Sequence, residues 1–436
     1  MITRDLKRLA LVVGPLLVFL LLSASLWNSN TESLRSHVSG LLEKNRHPSL
    51  SDPQSTPKPP SLDNQTHTEI VSLSTADQKH FEVRFGEYVF NPNIIPDPVR
   101  DDTWFIVGQR WTDPKHRQQH EAAVSEQVGC AAQFINGVLM CIDQAARVLP
   151  YAPTTGDKCE GPISYFNMNV GPHDARVFYG PQKPYTTFGS NSGFTCFGQW
   201  IQDFRKLVNW EYELLTNMDF ETGTELYRPA PFSAIEKNWF VFWDRDDQMY
   251  AHYDMFPNRA FAKLDSDGSV GPDLAPAVAA QDERCMARYL PKLPTDLESI
   301  HQATNSLKIT MCNRSDALCT PDDSNTFIMS IIQHKTYYDW HSEYEPYVIL
   351  FHQRAPYELY AISKNPIWIH GRRRHSDQRT EMFYITSINW KARGVKYHGY
   401  LDDDLFVAFG IEDKNSGAID VRAAALLVDL GFCNEP

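Results

Sequence analysis

From Phe81 onward the chain alternates short apolar, aromatic-rich runs with turn residues. The runs at 103–110 (TWFIVGQR), 175–179 (ARVFY), 239–243 (WFVFW), 347–352 (YVILFH), 382–388 (MFYITSI) and 404–410 (DLFVAFG) are each bounded by Gly, Pro, Asn or Asp, the mark of β-strands separated by turns. No repeat of identical residues is visible; what recurs is turn, strand, turn. That pattern suits a sandwich, a barrel or a propeller alike. It predicts a large all-β domain over residues 81–436. Amphipathic helix is scarce, and the best candidate, 199–215, lies between strand runs as an insertion.

The N-terminal part reads differently. Arg4, Lys7 and Arg8 precede residues 9–27, which carry no charge, and about 20 such residues cross a bilayer as a helix. Positive charge stays on the cytosolic side. The expected plan is a cytosolic tail (1–8), a transmembrane signal-anchor (9–27), a flexible luminal stem (28–80) and a luminal domain, a single-pass type II protein of the Golgi or another secretory membrane. A signal peptide cut near Ser23-Ala24-Ser25 is the alternative, giving a secreted protein. The stem holds Pro53, Pro57, Pro59 and Pro60 and lacks apolar periodicity, so it cannot bury enough surface to offset the entropy of ordering.

Charge narrows the partners. The 54 acidic residues outnumber 41 basic ones, for a net charge of -13, which opposes nucleic-acid binding. The run Arg372-Arg373-Arg374 is short and reads as a solvated loop beside Gly371. The aromatic content of 12% fits strands first, and aromatic faces also stack on sugar rings. The eight cysteines contain no C-x-x-C and no zinc-like spacing, so no metal site is expected. In the secretory pathway an even count favours disulfides, whose pairing the sequence alone does not fix. Cys312 and Cys319, seven residues apart across a turn-rich segment, form the most local candidate pair, followed by Cys130 with Cys141. Asn64-Gln65-Thr66 and Asn313-Arg314-Ser315 are glycosylation sequons.

Several segments, in order, resemble five-bladed β-propellers of the glycoside hydrolase family 130 mannoside phosphorylases and the related glycosyltransferase family 108 mannosyltransferases. They are Asn91-Pro92-Asn93-Ile94-Ile95 with the strand ending at Arg110, Gly171-Pro172-His173-Asp174-Ala175-Arg176, Lys237-Asn238-Trp239, His301–Leu307, the strand ending in His334, Tyr347–Phe351 with 361–366, and 405–413 (LFVAFGIED). The likeness covers roughly residues 88–430. His173 stands where the family has an acidic residue and Ala175 where it has Pro. About 60 residues separate Asp174 from Lys237, far more than in the family.

The resemblance implies a five-bladed propeller and a site at its central funnel. Asp174 would handle the proton, in the phosphorylases by way of a sugar hydroxyl; otherwise it is a turn Asp bonded to its own backbone. Arg110, Arg176 and Lys237 would meet phosphate through forked guanidinium donors or a compact ammonium charge, and His334 matches a phosphate-contacting histidine. Asn93, Asn238, Glu345 and Asp413 would bind sugar hydroxyls. The triplets Asp244-Arg245-Asp246, Asp265-Ser266-Asp267 and Asp402-Asp403-Asp404 match an Asp-x-Asp metal motif but are common by chance in so acidic a chain.

Three functions stay open. The first is a luminal, membrane-anchored glycosyltransferase adding mannose with inversion to a glycan or glycoprotein acceptor, with a sugar phosphate or nucleotide sugar as co-substrate and no other cofactor. The second is a mannoside phosphorylase or glycoside hydrolase; the third is a non-catalytic sugar-binding propeller.

Overall fold

The computed structural model describes residues 66–111, 123–143, 145–154, 156–208, 210, 219–338, 341–375 and 379–434. The anchor at 9–27 and the sequon at Asn64 lie outside them. Among the described residues no helix is long and apolar enough to cross a membrane.

The strands form five antiparallel units in chain order. The first contains Phe90–Pro96, Trp104–Trp111, Ala123–Ile135 and Val138–Cys141. The second runs His173–Tyr179, Pro184–Asn191, Phe197–Asp203 and Thr224–Leu226. Phe240–Trp243, Met249–Asp254 and Ala260–Lys263 make the third. The fourth contains Leu307–Thr310, Thr326–Tyr338, His341–His352, Leu359–Ser363 and, from the C-terminus, Leu430–Phe432. The fifth is Phe383–Trp390, Asp404–Ile411 and Asn415–Arg422, completed by Phe81–Arg84. That N-terminal strand also pairs in parallel with Val138–Cys141 of the first unit and so closes a ring of five blades.

The first strand of each blade lies innermost, and these strands are joined by side chains instead of ladders. Asn93 donates to the Ala175 carbonyl at 2.8 Å and accepts from the Val177 amide at 3.0 Å. Asn305 does the same for Ile388, Asn389 donates to the Val177 carbonyl and Ser306 to that of Val241. Inner strands of different blades cannot pair along their lengths, so buried backbone groups need these side-chain partners. The core is therefore polar along its axis and aromatic between the blades, where Trp239, Phe240, Phe242 and Trp390 are buried.

Two expectations are corrected. The expected helix at 199–215 does not form over its described part: residues 199–203 belong to the strand Phe197–Asp203, paired on both sides, followed by one 3-10 turn, Phe204–Lys206. Six of the seven residues of that strand are buried, as expected of a strand with a neighbour on each side. The chain is also folded before residue 81. Thr68–Ile70 pairs in parallel with Ile367–Ile369, and the Ser72 and Ser74 hydroxyls each donate to Asp420 at 2.6 Å. Burial of Ile70 and the donors required by a fully buried carboxylate order this segment, so the expected stem does not extend through residues 66–80.

Both expected disulfides form, Cys130–Cys141 and Cys312–Cys319. Cys159–Cys196 and Cys285–Cys433 complete four, a pattern suited to an oxidising compartment outside the cytosol. Asn313 is exposed inside the small loop closed by Cys312–Cys319.

Candidate active site

A cavity of about 410 Å³ opens where the inner strands begin. Asn91 and Asp174 stand at second positions of their strands, as does Tyr384 of Phe383–Trp390, while Asn238 immediately precedes the third blade and Asp413 follows the strand Asp404–Ile411. Gln109 enters from the neighbouring strand of the first blade. The fourth blade supplies His301, Lys335 and Tyr344, the last two directly opposite each other across a strand pair.

Asn91, Asp174, Asn238 and Asp413 all have left-handed backbones, with φ of 52°, 47°, 64° and 47°. Asn and Asp accept this conformation better than other side-chain-bearing residues, and it turns each of them at a strand end. Gly171 has a φ of 92°, and a Cβ there would lie 2.1 Å from the Ser125 carbonyl oxygen. Only glycine fits beside that carbonyl, where the chain turns into the strand bearing Asp174.

Asp174 is held from three sides. Its amide donates to Gln109 Oε1 at 2.6 Å, its Oδ1 accepts from Asn91 Nδ2 at 2.9 Å, and its carbonyl accepts from Arg176 at 3.3 Å. Among the described residues its Oδ2 accepts no hydrogen bond, which leaves one carboxylate oxygen for a ligand hydroxyl. Arg176 is buried beneath the cavity, donating to Asn238 Oδ1 at 3.0 Å, to the Tyr384 hydroxyl at 3.1 Å and to the Ala303 carbonyl. It fixes the floor.

With this geometry in view, comparison with known proteins gives the following. No family model matches the chain, and no curated protein matches it. Solved structures do. The β-1,2-mannobiose phosphorylase of Listeria innocua is similar over 83% of this chain and 96% of its own, at 10% identity and a TM-score of 0.43. A GDP-Man-dependent mannosyltransferase from Leishmania mexicana covers 81% and 89%, at 8% identity and 0.35. The Bacillus subtilis arabinanase covers 78% and 96%, at 9% identity and 0.34. All three are carbohydrate-active enzymes. The phosphorylase and the mannosyltransferase are of the two kinds that the sequence motifs resemble.

Burial and the neighbouring charges of Asp174 and Glu412 push Asp413 up to about 6, against the opposing pull of Lys335. Burial, then the like charge of Lys237, lowers Lys335. Those two ammonium groups line one cavity, and among the described residues neither has a carboxylate within ion-pair distance. Burial lowers His301 to about 4 and raises Tyr384 to about 12. His301 Nδ1 lies 3.0 Å from the Gln302 carbonyl; a carbonyl only accepts, so Nδ1 carries the proton and Nε2 is an acceptor. Tyr344, Tyr384 and His301 pack edge-on or tilted against one another, an aromatic wall opposite the carboxylates' polar one.

Of the residues read from the sequence, Asp174, Lys237, Asn238 and Asp413 meet in the cavity. Five others do not line it. Asn93 joins the inner strands and Arg176 lies below the floor. Arg110 pairs with Glu126 at 2.8 Å and with Glu87, which hold it on the first blade. His334 bonds Glu298 at 2.9 Å, and Glu345 bonds His67 and Arg372. His334 and Glu345 face each other across their strand pair, one step from the facing pair Lys335 and Tyr344. Side chains alternate along a strand, so a shift of one residue changes the face.

Asn91, Gln109, His173, His301, Lys335, Tyr344 and Tyr384 also line the site. The signal for Asn91, His173 and His301 was their place inside the resembling motifs. Gln109 closes the strand of the first resembling segment, beside Arg110, which reads as the ligand group. Among the described residues no group of three or more His, Cys, Asp or Glu could hold a metal ion. Asp244 instead accepts the amides of Asp246 and Gln248 in a turn.

Proposed function

We propose that the protein is a glycosyltransferase of the secretory pathway, anchored by residues 9–27, that moves a mannosyl group from a phosphate-bearing donor to a glycan with inversion. The observation that carries this reading is the unpaired Lys237 and Lys335 in the cavity that holds Asp174. Unpaired cations beside a positioned carboxylate suit a reaction in which a phosphate oxygen gains charge as the glycosidic bond breaks. Mannose rests on the motif resemblance.

In this mechanism the donor phosphate lies against the two ammonium groups. Asp174 Oδ2, directly or through a sugar hydroxyl, takes the proton of the acceptor hydroxyl as its oxygen attacks the anomeric carbon. The bond to the phosphate oxygen breaks on the opposite face, its electrons passing to the phosphate, so configuration inverts. Asp413, Asn238 and His301 Nε2 bind sugar hydroxyls.

The same ammonium pair favours a second reading, phosphorolysis, in which inorganic phosphate attacks a mannoside. Incubating the ectodomain with nucleotide sugars, mannose 1-phosphate and mannosides separates the two. Transfer from a nucleotide sugar selects the first, and phosphate-dependent release of mannose 1-phosphate the second. In either, Asp174→Asn keeps the fold and loses about 10²–10⁴-fold in rate. Activity within a few-fold of wild type in that variant would remove Asp174 from the mechanism.

A further inference from the structure

The second blade carries a small apolar cluster separate from the main core. Cys159, Cys196 and Phe197 are buried in it, with Ile163, Phe166 and Ile235 packed against them. Such satellites sit under surface segments and support them. This one underlies the 3-10 segment Gly161–Met168 and the turn at 192–196, tied together by Cys159–Cys196. Asn167 exchanges two hydrogen bonds with Cys159, and Asn191 donates to the Phe166 carbonyl at 3.2 Å. The segment is rigidly mounted.

What it displays is apolar and mostly aromatic, with Met168 56% exposed. Tyr165 is 55% exposed, Phe194 40% and Phe232 37%. Tyr165 stacks on Phe166 with centroids 4.5 Å apart, and Phe194 stacks on Tyr227 at 4.3 Å. These rings stand at the cavity end of the blade, because Gly189 pairs with His173 and Asn191 with Phe197. Tyr165 is linked to the cavity wall: Phe166 packs on Phe197 at 5.6 Å, and Phe197 on His173, also at 5.6 Å.

Resting on the function proposed above, we infer that this rim is an acceptor subsite for an oligosaccharide chain, which lies across Tyr165 and Phe194 while its terminal sugar enters the cavity. Sugar rings present apolar C–H faces and polar edges. Rigid, half-exposed aromatic faces bind the former at little ordering cost. The occupant is thus a carbohydrate longer than the cavity alone can hold, and the rim sets a preference for chain length.

The test uses Asp174→Asn protein, in which turnover is disabled and affinity alone is read. Linear oligomers of mannose, glucose and N-acetylglucosamine, from monosaccharide to hexasaccharide, are titrated by calorimetry. At least one series gains about tenfold or more in affinity with length. Tyr165→Ala and Phe194→Ala remove that gain and leave monosaccharide binding unchanged. The inference is overturned when no series gains with length, or when the gain persists in both variants. Turnover by the Asp174→Asn protein would refute the assigned base and leave this result intact.

Discussion

Asn91 and Asp174, on the inner strands of neighbouring blades, share a 2.9 Å hydrogen bond from amide to carboxylate, and both hold left-handed backbones. One oxygen of the proposed base is thereby fixed and the other left to the ligand. On the fifth blade, Gly410 permits this: a Cβ there would lie 2.1 Å from Asn91 Oδ1.

Gly410→Ala therefore displaces Asn91 and frees Asp174. Overpacking costs about 1–3 kcal/mol of stability, and kcat falls about tenfold or more while the fold persists. Asn91→Ala reproduces the loss of kcat without the clash. Equal kcat in wild type and both variants would show that Asp174 needs no such positioning.

Asp413 gives a pH signature. Its ordinary value is 3.8 and the cavity raises it to about 6, so between these the folded state keeps a proton that the unfolded chain releases. Stability contributed by this group is present at low pH and falls as pH rises through that window, by less than the full shift because solvent screens a residue this exposed. Asp413→Asn removes the penalty. Denaturant unfolding should find the variant more stable than wild type at about pH 7 and equal to it near pH 3.

Lys335→Met removes one of the two unpaired ammonium groups and keeps the length of the side chain. The KM for a phosphate-bearing donor rises about 10–100-fold, the cost of a lost charged hydrogen bond, while binding of neutral sugars changes little. Steady-state kinetics with donor varied and acceptor fixed, then the reverse, reads the difference.

The segment before residue 81 matters for stability. Burial alone would raise Asp420, yet bonds from Lys391, Ser72 and Ser74 outweigh it and hold it below its ordinary value. A chain beginning at residue 81 loses both serine donors and the Thr68–Ile70 strand, and is less stable than one beginning at 66 by about 3 kcal/mol or more. Since a lowered carboxylate stabilises only while ionised, the gap narrows as pH falls below about 4. Paired urea titrations at two pH values check both statements.

The strand runs were legible because aromatic and apolar residues between turn residues carry their own signal, and all six marked runs lie largely within strands of the blades. The site was half legible. Asp174, Lys237, Asn238 and Asp413 stand at strand ends, where a motif fixes position without needing a face. His334 and Glu345 lie within strands, and there the choice between neighbours depends on which face is inward, which the sequence around them, rich in polar residues on both faces, does not declare. Arg176 reads as a ligand group from its place in the resembling motif and from its forked donors. Only the structure shows it enclosed, with Ala303, Asn238 and Tyr384 as its partners.

The strand Phe81–Arg84 stitches the first blade to the fifth. It leaves the ribosome among the earliest of the folded parts, yet its antiparallel partner Asn415–Arg422 is among the last. The ring cannot lock until residues 415–422 have been made, and this contact spans nearly the whole folded sequence, which makes closure slow. Until then the open edges of two blades stand exposed to other chains, so the nascent protein needs protection until that strand emerges.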